Sequence, residues 1–181
     1  MSLSLIALSA ESIRRVYAGE SDWAAGQPDL SGVVWPADDR RVLRYRVEAL
    51  DSDPEAAPFL LHAAVQDGGF VGRIGSHAAP DAGGAVEIGY AVVPSARGQG
   101  VGGQIVDLFL TWLSARGVTR VDASVGPDNV PSLRLLKRRG FVEVGERWDD
   151  EDGRELVLSK ALEPRPRSSD DTPTATEPPA T

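Results

Sequence analysis

At 181 residues, 41% of them apolar, the chain is about the size of one domain and long enough to bury a proper core. The absence of cysteine excludes a disulfide scaffold, a thiolate metal site and thiol nucleophilic catalysis, and two histidines, His62 and His77, are too few for a metal cluster, so no metal is expected. A net charge of −8 argues against a nucleic-acid partner, and no segment approaches the roughly 18 apolar residues of a membrane span.

Residues Met1 to Ile6 carry no basic flank or small-residue cleavage site, so no signal peptide is read and a cytoplasmic location is the default. Leu3 to Leu8 is apolar enough for a first strand. Ala10 to Ala18 places Ile13, Val16 and Tyr17 on one helical face, with Ser9 as its cap. Gly26, Pro28, Gly32 and Pro36 break residues 22 to 36 into loop. Asp38 to Leu50 has helical spacing at Val42, Leu43, Val47 and Leu50, which turns Arg40, Arg41, Arg44 and Arg46 largely outward; Pro54 and Pro58 close that element.

Three strands are expected next, Leu60 to Val65, Phe70 to Ser76 and Val86 to Val92, the first two joined by an Asp67-Gly68-Gly69 hairpin turn. A glycine-rich loop leads into a helix that ends at Gly117. Thr119 to Val125 predicts a strand, and Asp128 or Asn129 caps a short helix that accepts Pro131 in its first turn and stops at Gly140. Phe141 to Trp148 and Arg154 to Leu162 flank the acidic turn 149–153 and predict a last hairpin. From Glu163 onward Pro, Ser, Thr and charge replace large apolar residues, so residues 1–162 are expected to form the domain and 163–181 a disordered tail.

Residues 97 to 103 read Arg-Gly-Gln-Gly-Val-Gly-Gly at the predicted helix start. Glycines let unobstructed N–H groups approach a ligand, and a helix N-terminus adds partial positive charge, which suits a pyrophosphate. No Lys-Ser/Thr pair follows, so this is not a P-loop. No acidic residue closes a second strand, so it is not the dinucleotide fingerprint either, and a nucleotide-binding module is disfavoured.

The spacing Arg97-x-x-Gly100-x-Gly102 after Val92-Val93-Pro94 resembles the acetyl-coenzyme A loop of the GCN5-related N-acetyltransferase (GNAT) superfamily. Asn129-x-x-Ser132-x-x-x-Leu136-x-x-x-Gly140-Phe141 is similar to its second signature, and the wording from Val86 to Leu158 is nearest the ribosomal-protein alanine N-acetyltransferase branch. The resemblance implies an α/β (α+β) fold with a mixed, mostly antiparallel sheet of six to seven strands, four helices and a central splayed strand pair. It implies direct acetyl transfer from acetyl-coenzyme A, with coenzyme A as product, to an amine-bearing small molecule or a peptide N-terminus, by a monomer or homodimer. The other reading it leaves is a coenzyme A-binding sensor or regulatory domain without turnover.

By the same resemblance the backbone of Tyr90, Ala91 and Val92 holds the pantetheine arm. Arg97, Gly98, Gln99, Gly100, Val101, Gly102 and Gly103 hold the pyrophosphate, and Asn129 and Ser132 lie near the thiol. Gly89 is compatible with a bulge or a close backbone approach. Glu87 lies on the face of Gly89 and Ala91 and is the candidate base for the amine; the alternative is a strand carboxylate paired to a neighbouring arginine. His77 assists through water or is a structural residue. Ser132 donates to the thiolate or caps its own helix. Leu136 stands where the family often has a tyrosine acid, and Ser124 where some members carry a glutamate base. Trp35 is the candidate wall of the acceptor pocket, with Trp23 and Trp148 as further candidates, or a packed cover.

Deleting residues 164 to 181 is expected to leave the melting temperature unchanged, because so few apolar side chains cannot offset an ordering entropy of ~1–2 kcal/mol per residue. A clear fall in a thermal melt would show a docked tail.

Overall fold

The computed structural model describes residues 2–24, 30, 33, 35–36 and 39–163. The loop glycines and proline at 26, 28 and 32, Asp38 and the tail from 164 lie outside them. Seven strands form one sheet: β1 (Leu3–Ala7), β2 (His62–Gln66), β3 (Gly69–Ser76), β4 (Ala85–Val92), β5 (Arg120–Val125), β6 (Val142–Asp149) and β7 (Gly153–Ala161). Their spatial order is β1-β2-β3-β4-β5-β7-β6. Every neighbouring pair is antiparallel except β4 and β5, whose parallel pairing needs a crossover connection.

Among the described residues five α-helices accompany the sheet: α1 (Ala10–Ala18), α2 (Arg40–Ser52), α3 (Ala57–Leu60), α4 (Val101–Ser114) and α5 (Val130–Arg138). Four were expected. The fifth, α3, is a single turn that begins at Ala57 and accepts the supposed terminator Pro58 as its second residue, because a first-turn residue needs no N–H partner. Leu60 ends that turn, so β2 starts two residues later than its apolar run suggested. The other local signals hold: the Ser9 hydroxyl accepts from the Ser12 N–H, Asn129 caps α5, and Asp67 and Gly68 both take positive φ in the hairpin turn.

Apolar side chains pack on both faces of the sheet. Ile105, Val106, Phe109 and Leu113 of α4 and Leu136 of α5 meet Val86, Ile88, Ala123 and Leu158 on one side. Ile13 and Val16 of α1, Leu43 and Leu50 of α2, Leu60 and Trp23 cover the other. Arg46 shares the inner face of α2 with Leu43 and Leu50 and is only 4% exposed, which corrects its outward assignment. A three-residue step from Leu43 brings it onto the buried stripe.

The sheet divides in its middle. β4 pairs with β5 only at Ala85 to Glu87, opposite Arg120 to Asp122; β4 then runs on to Val92 alongside β3 alone. No register shift interrupts β3 and β4 at Gly89, so the splay comes from the end of pairing rather than from a bulge.

His62 lies on β2 at 1% exposure, edge-on to Phe109 and Trp112, and neither ring nitrogen has a hydrogen-bond partner among the described residues. Burial, then the Arg116 guanidinium, lowers its pKa to about 4. Below pH 6.5 the unfolded chain takes up a proton that the folded protein refuses, so stability falls as pH drops from 6.5 and the loss is complete near pH 4. The full effect is roughly 3 kcal/mol. Denaturant titrations at pH 7 and pH 4.5 are expected to show a smaller pH dependence for His62→Leu than for the parent chain; equal slopes would place the acid sensitivity elsewhere.

Candidate functional site

The N-terminus of α4 faces the open edge of β4. Gly98 and Gly100 take φ of 74° and 78°, a region that side-chain-bearing residues rarely adopt, and this turns the loop's amides outward. The N–H groups of residues 98 to 102 make no hydrogen bond to any described residue. They form a concave row of donors at the positive end of the helix. In front of them runs a groove of about 650 Å³ lined by Tyr90, Ala91, Val92, Arg97, Asn129 and Leu135 together with the loop glycines. In a chain of net charge −8, no acidic side chain lines this groove. The Arg97 Nε is fixed by donating to the Val92 carbonyl at 2.9 Å. Gln99 turns its amide back to the Ser95 carbonyl and does not line the groove.

The groove opens at Tyr90, Asn129 and Ser132 into a second cavity of about 410 Å³, the gap between the separated β4 and β5. Beyond Glu87 the β4 peptide groups on this side have no partner strand. The Tyr90 hydroxyl lies 2.9 Å from the Ser132 hydroxyl, and the Ser132 N–H donates to Asn129 Oδ1 at 3.2 Å. Burial raises the Tyr90 pKa, opposed in part by Ser132, so the phenol keeps its proton at neutral pH. Tyr90 had been assigned only a backbone role. Its side chain alternates to the face opposite Glu87, and that alternation was the signal that could have found it. Leu136 is fully buried in the core, and the Ser124 Oγ is buried in the gap without a partner among the described residues.

A third cavity of about 390 Å³ lies on the α2 side and shares Asp152 and Glu155 with the gap. Arg41, Tyr45 and Arg46 of α2, His77, Arg147 and Asp149 complete it. Glu87 stands behind two of these residues, His77 and Arg147, and is held by Arg147, whose Nη1 donates to Oε2 at 2.9 Å and whose Nη2 lies 2.8 Å from Oε1. The Arg147 Nε also donates to Glu155, its cross-strand partner. His77 Nδ1 stands 3.8 Å from Glu87 Oε1. Burial, then the Arg46 charge, holds the His77 imidazole below its ordinary value; Glu87 acts in the opposite sense and Arg147 again lowers it. A neutral imidazole beside a carboxylate is therefore the state at pH 7.

The predicted residues thus fall into two groups: the loop with Tyr90 to Val92, Asn129 and Ser132, and Glu87 with His77. Trp35 joins neither. It packs edge-on to Trp23 and tilted against Phe70, half-buried against the apolar cluster beneath α1 and α2, as a packed cover, and Trp148 is 76% exposed outside the cavities. Arg46 and Arg147 were missed, because their roles depend on which way α2 and the last hairpin face.

The family model described as acetyltransferase (GNAT) family matches residues 20–141. A Bacillus subtilis protein named as an uncharacterised N-acetyltransferase, YoaA, is 34% identical over 76 residues; the match covers 41% of this chain and 43% of that relative, less than half its length. The solved RimL ribosomal L7/L12 α-N-protein acetyltransferase in complex with coenzyme A superposes with a TM-score of 0.65 at 15% identity, over 91% of this chain and 97% of the other. The aminoglycoside acetyltransferase AAC(6')-Ib, also with coenzyme A, gives 0.58 at 18% identity, over 88% and 95%. At such identities the two structures share the fold.

A carboxylate at Gly100 would oppose any phosphate on the loop amides. Gly100→Asp is expected to weaken coenzyme A binding about tenfold or more relative to Gly100→Asn, which accepts the same backbone conformation without the charge. Equal affinities in calorimetry would remove the α4 N-terminus from the site.

Proposed function

The chain belongs to the acetyltransferase (GNAT) family, and from that premise we propose that it transfers the acetyl group of acetyl-coenzyme A directly to a primary amine, on a small molecule or a peptide N-terminus. One observation carries the reading: three cavities adjoin through shared lining residues, from a cradle of free amides, through the gap beside β4, to a pocket lined by His77, behind which Glu87 stands. Residues 98 to 102 fit the diphosphate, and the unpaired edge of β4 fits the amide-bearing arm. When bound, acetyl-coenzyme A supplies an electrophilic thioester carbonyl and a thiolate leaving group.

The chain's own residues then divide the work. His77, kept neutral by its surroundings, accepts the ammonium proton as the amine nitrogen bonds to the carbonyl carbon; Glu87 favours the resulting imidazolium and is itself held in place by Arg147. Free N–H groups of β4 stabilise the oxygen that gains charge. Tyr90, hydrogen-bonded to Ser132, gives its proton to the sulfur as the C–S bond breaks, and the second proton that the acylated nitrogen sheds restores the phenol. This pair replaces the tyrosine that the family often has at the position of Leu136, and so weakens the case for a sensor without turnover.

Because the chain lacks cysteine, a thiol reagent detects released coenzyme A without protein background. Incubation with acetyl-coenzyme A and a panel of amines is expected to release thiol in proportion to acetylated product. His77→Ala is expected to lower turnover by about 100- to 10,000-fold at pH 7, with a smaller deficit at high pH where the amine is already free. Glu87→Gln should move the acid limb of the pH profile to lower pH, since it removes the charge that favours the imidazolium. Coenzyme A binding without turnover on any amine would favour the regulatory reading instead.

A further inference from the structure

Arg46 is the one cation of the acceptor cavity without a partner among the described residues. It sits 4% exposed on the inner face of α2, its Nε is buried without a hydrogen bond, and its side chain lines the cavity. The surrounding acids are already engaged. Asp39 holds Arg73 through two hydrogen bonds of 2.6 and 2.7 Å, and Glu87 and Glu155 share Arg147. Asp152 and Glu151 take Arg41, Glu151 also takes Arg44, and Asp149 accepts the backbone N–H groups of Glu151 and Asp152. Glu87 is close enough to favour the charge on Arg46 but makes no contact with it.

A buried guanidinium with unfilled donors costs stability unless something supplies the acceptors. Burial, and the neighbouring Arg73, lower its pKa only to about 10, so it stays cationic at neutral pH. Its position is specific: a Cβ built on Gly89 would lie 3.9 Å from Arg46 Nη2 and 3.4 Å from His77 Nε2. The anion-binding group and the proposed proton acceptor therefore face one point above the strand that borders the gap.

We infer that the acceptor is an amino-carboxylate, a small molecule whose carboxylate is held by the Arg46 guanidinium while its nearby amine is presented to His77 and the thioester. The planar fork of arginine matches two carboxylate oxygens, and the short reach between Arg46 and His77 suits an amine and a carboxylate separated by one carbon. This assignment rests on the acetyl-transfer reading for the fate of the amine, but the anion site stands on Arg46 itself.

The test uses the full chain loaded with coenzyme A, titrated by calorimetry with the common α-amino acids and their carboxamides, and the same panel assayed with acetyl-coenzyme A. The expected result is that at least one amino acid binds about 10- to 100-fold tighter than its amide. Arg46→Met is expected to erase that preference while coenzyme A affinity stays as in the parent chain. Arg46→Lys, which keeps the charge and loses the fork, should give an intermediate preference and serves as well if the methionine variant folds poorly. Acids and amides binding alike, no member of the panel binding, or a preference that survives in either variant would overturn the assignment. Arg46-dependent binding without acetyl transfer would overturn only the acetyl-transfer reading; transfer to amines with no preference for the acid would overturn only the role of Arg46.

Discussion

The parallel pairing of β4 with β5 stops after Glu87 and Asp122, and the working parts of the protein depend on where it stops. Each residue of a sheet interior normally spends its N–H and C=O on neighbours. Here the latter half of β4 is bonded on one side only, next to a helix N-terminus whose amides are also unspent. The gap shares lining residues with the cavities on both sides, so one break in a hydrogen-bond ladder leaves backbone donors unspent where the three cavities adjoin.

Charge is distributed to match. The chain carries eight more acidic than basic residues, yet the loop groove is free of acids and Arg46, Arg73 and Arg147 converge at the α2 side of the gap. Arg73 and Arg147 are spent structurally: one anchors the start of α2 through Asp39, the other ties the last hairpin to β4 through Glu87. The cation left over, Arg46, lines the cavity on the α2 side. Burial first, then the Arg46 charge and also Arg147, keep His77 from charging, so the region that leaves a cation unspent also keeps an imidazole neutral.

The loop from Arg97 to Gly103 and the run from Asn129 to Phe141 were legible in the sequence because their shape is a matter of backbone geometry, which glycine, proline and capping residues report directly. The strands were legible because alternation and turn residues mark them within a residue or two, although an apolar run does not say where the one turn of α3 yields to β2. Trp35 packs against Trp23 and Phe70 while Trp148 on β6 stands exposed, since a large aromatic side chain by itself carries no information about which surface it will cover.

By itself, then, the sequence determined the order of elements, the amide cradle and the face on which Glu87 stands, all of which follow from local backbone preferences and strand periodicity. Only the tertiary structure decided that Arg46 turns inward, that Arg147 grips Glu87 from sixty residues away, and that the Tyr90 hydroxyl meets Ser132. Those contacts join residues from different elements, and their geometry is set by how α2, α5 and the last hairpin pack on the divided sheet rather than by any local propensity.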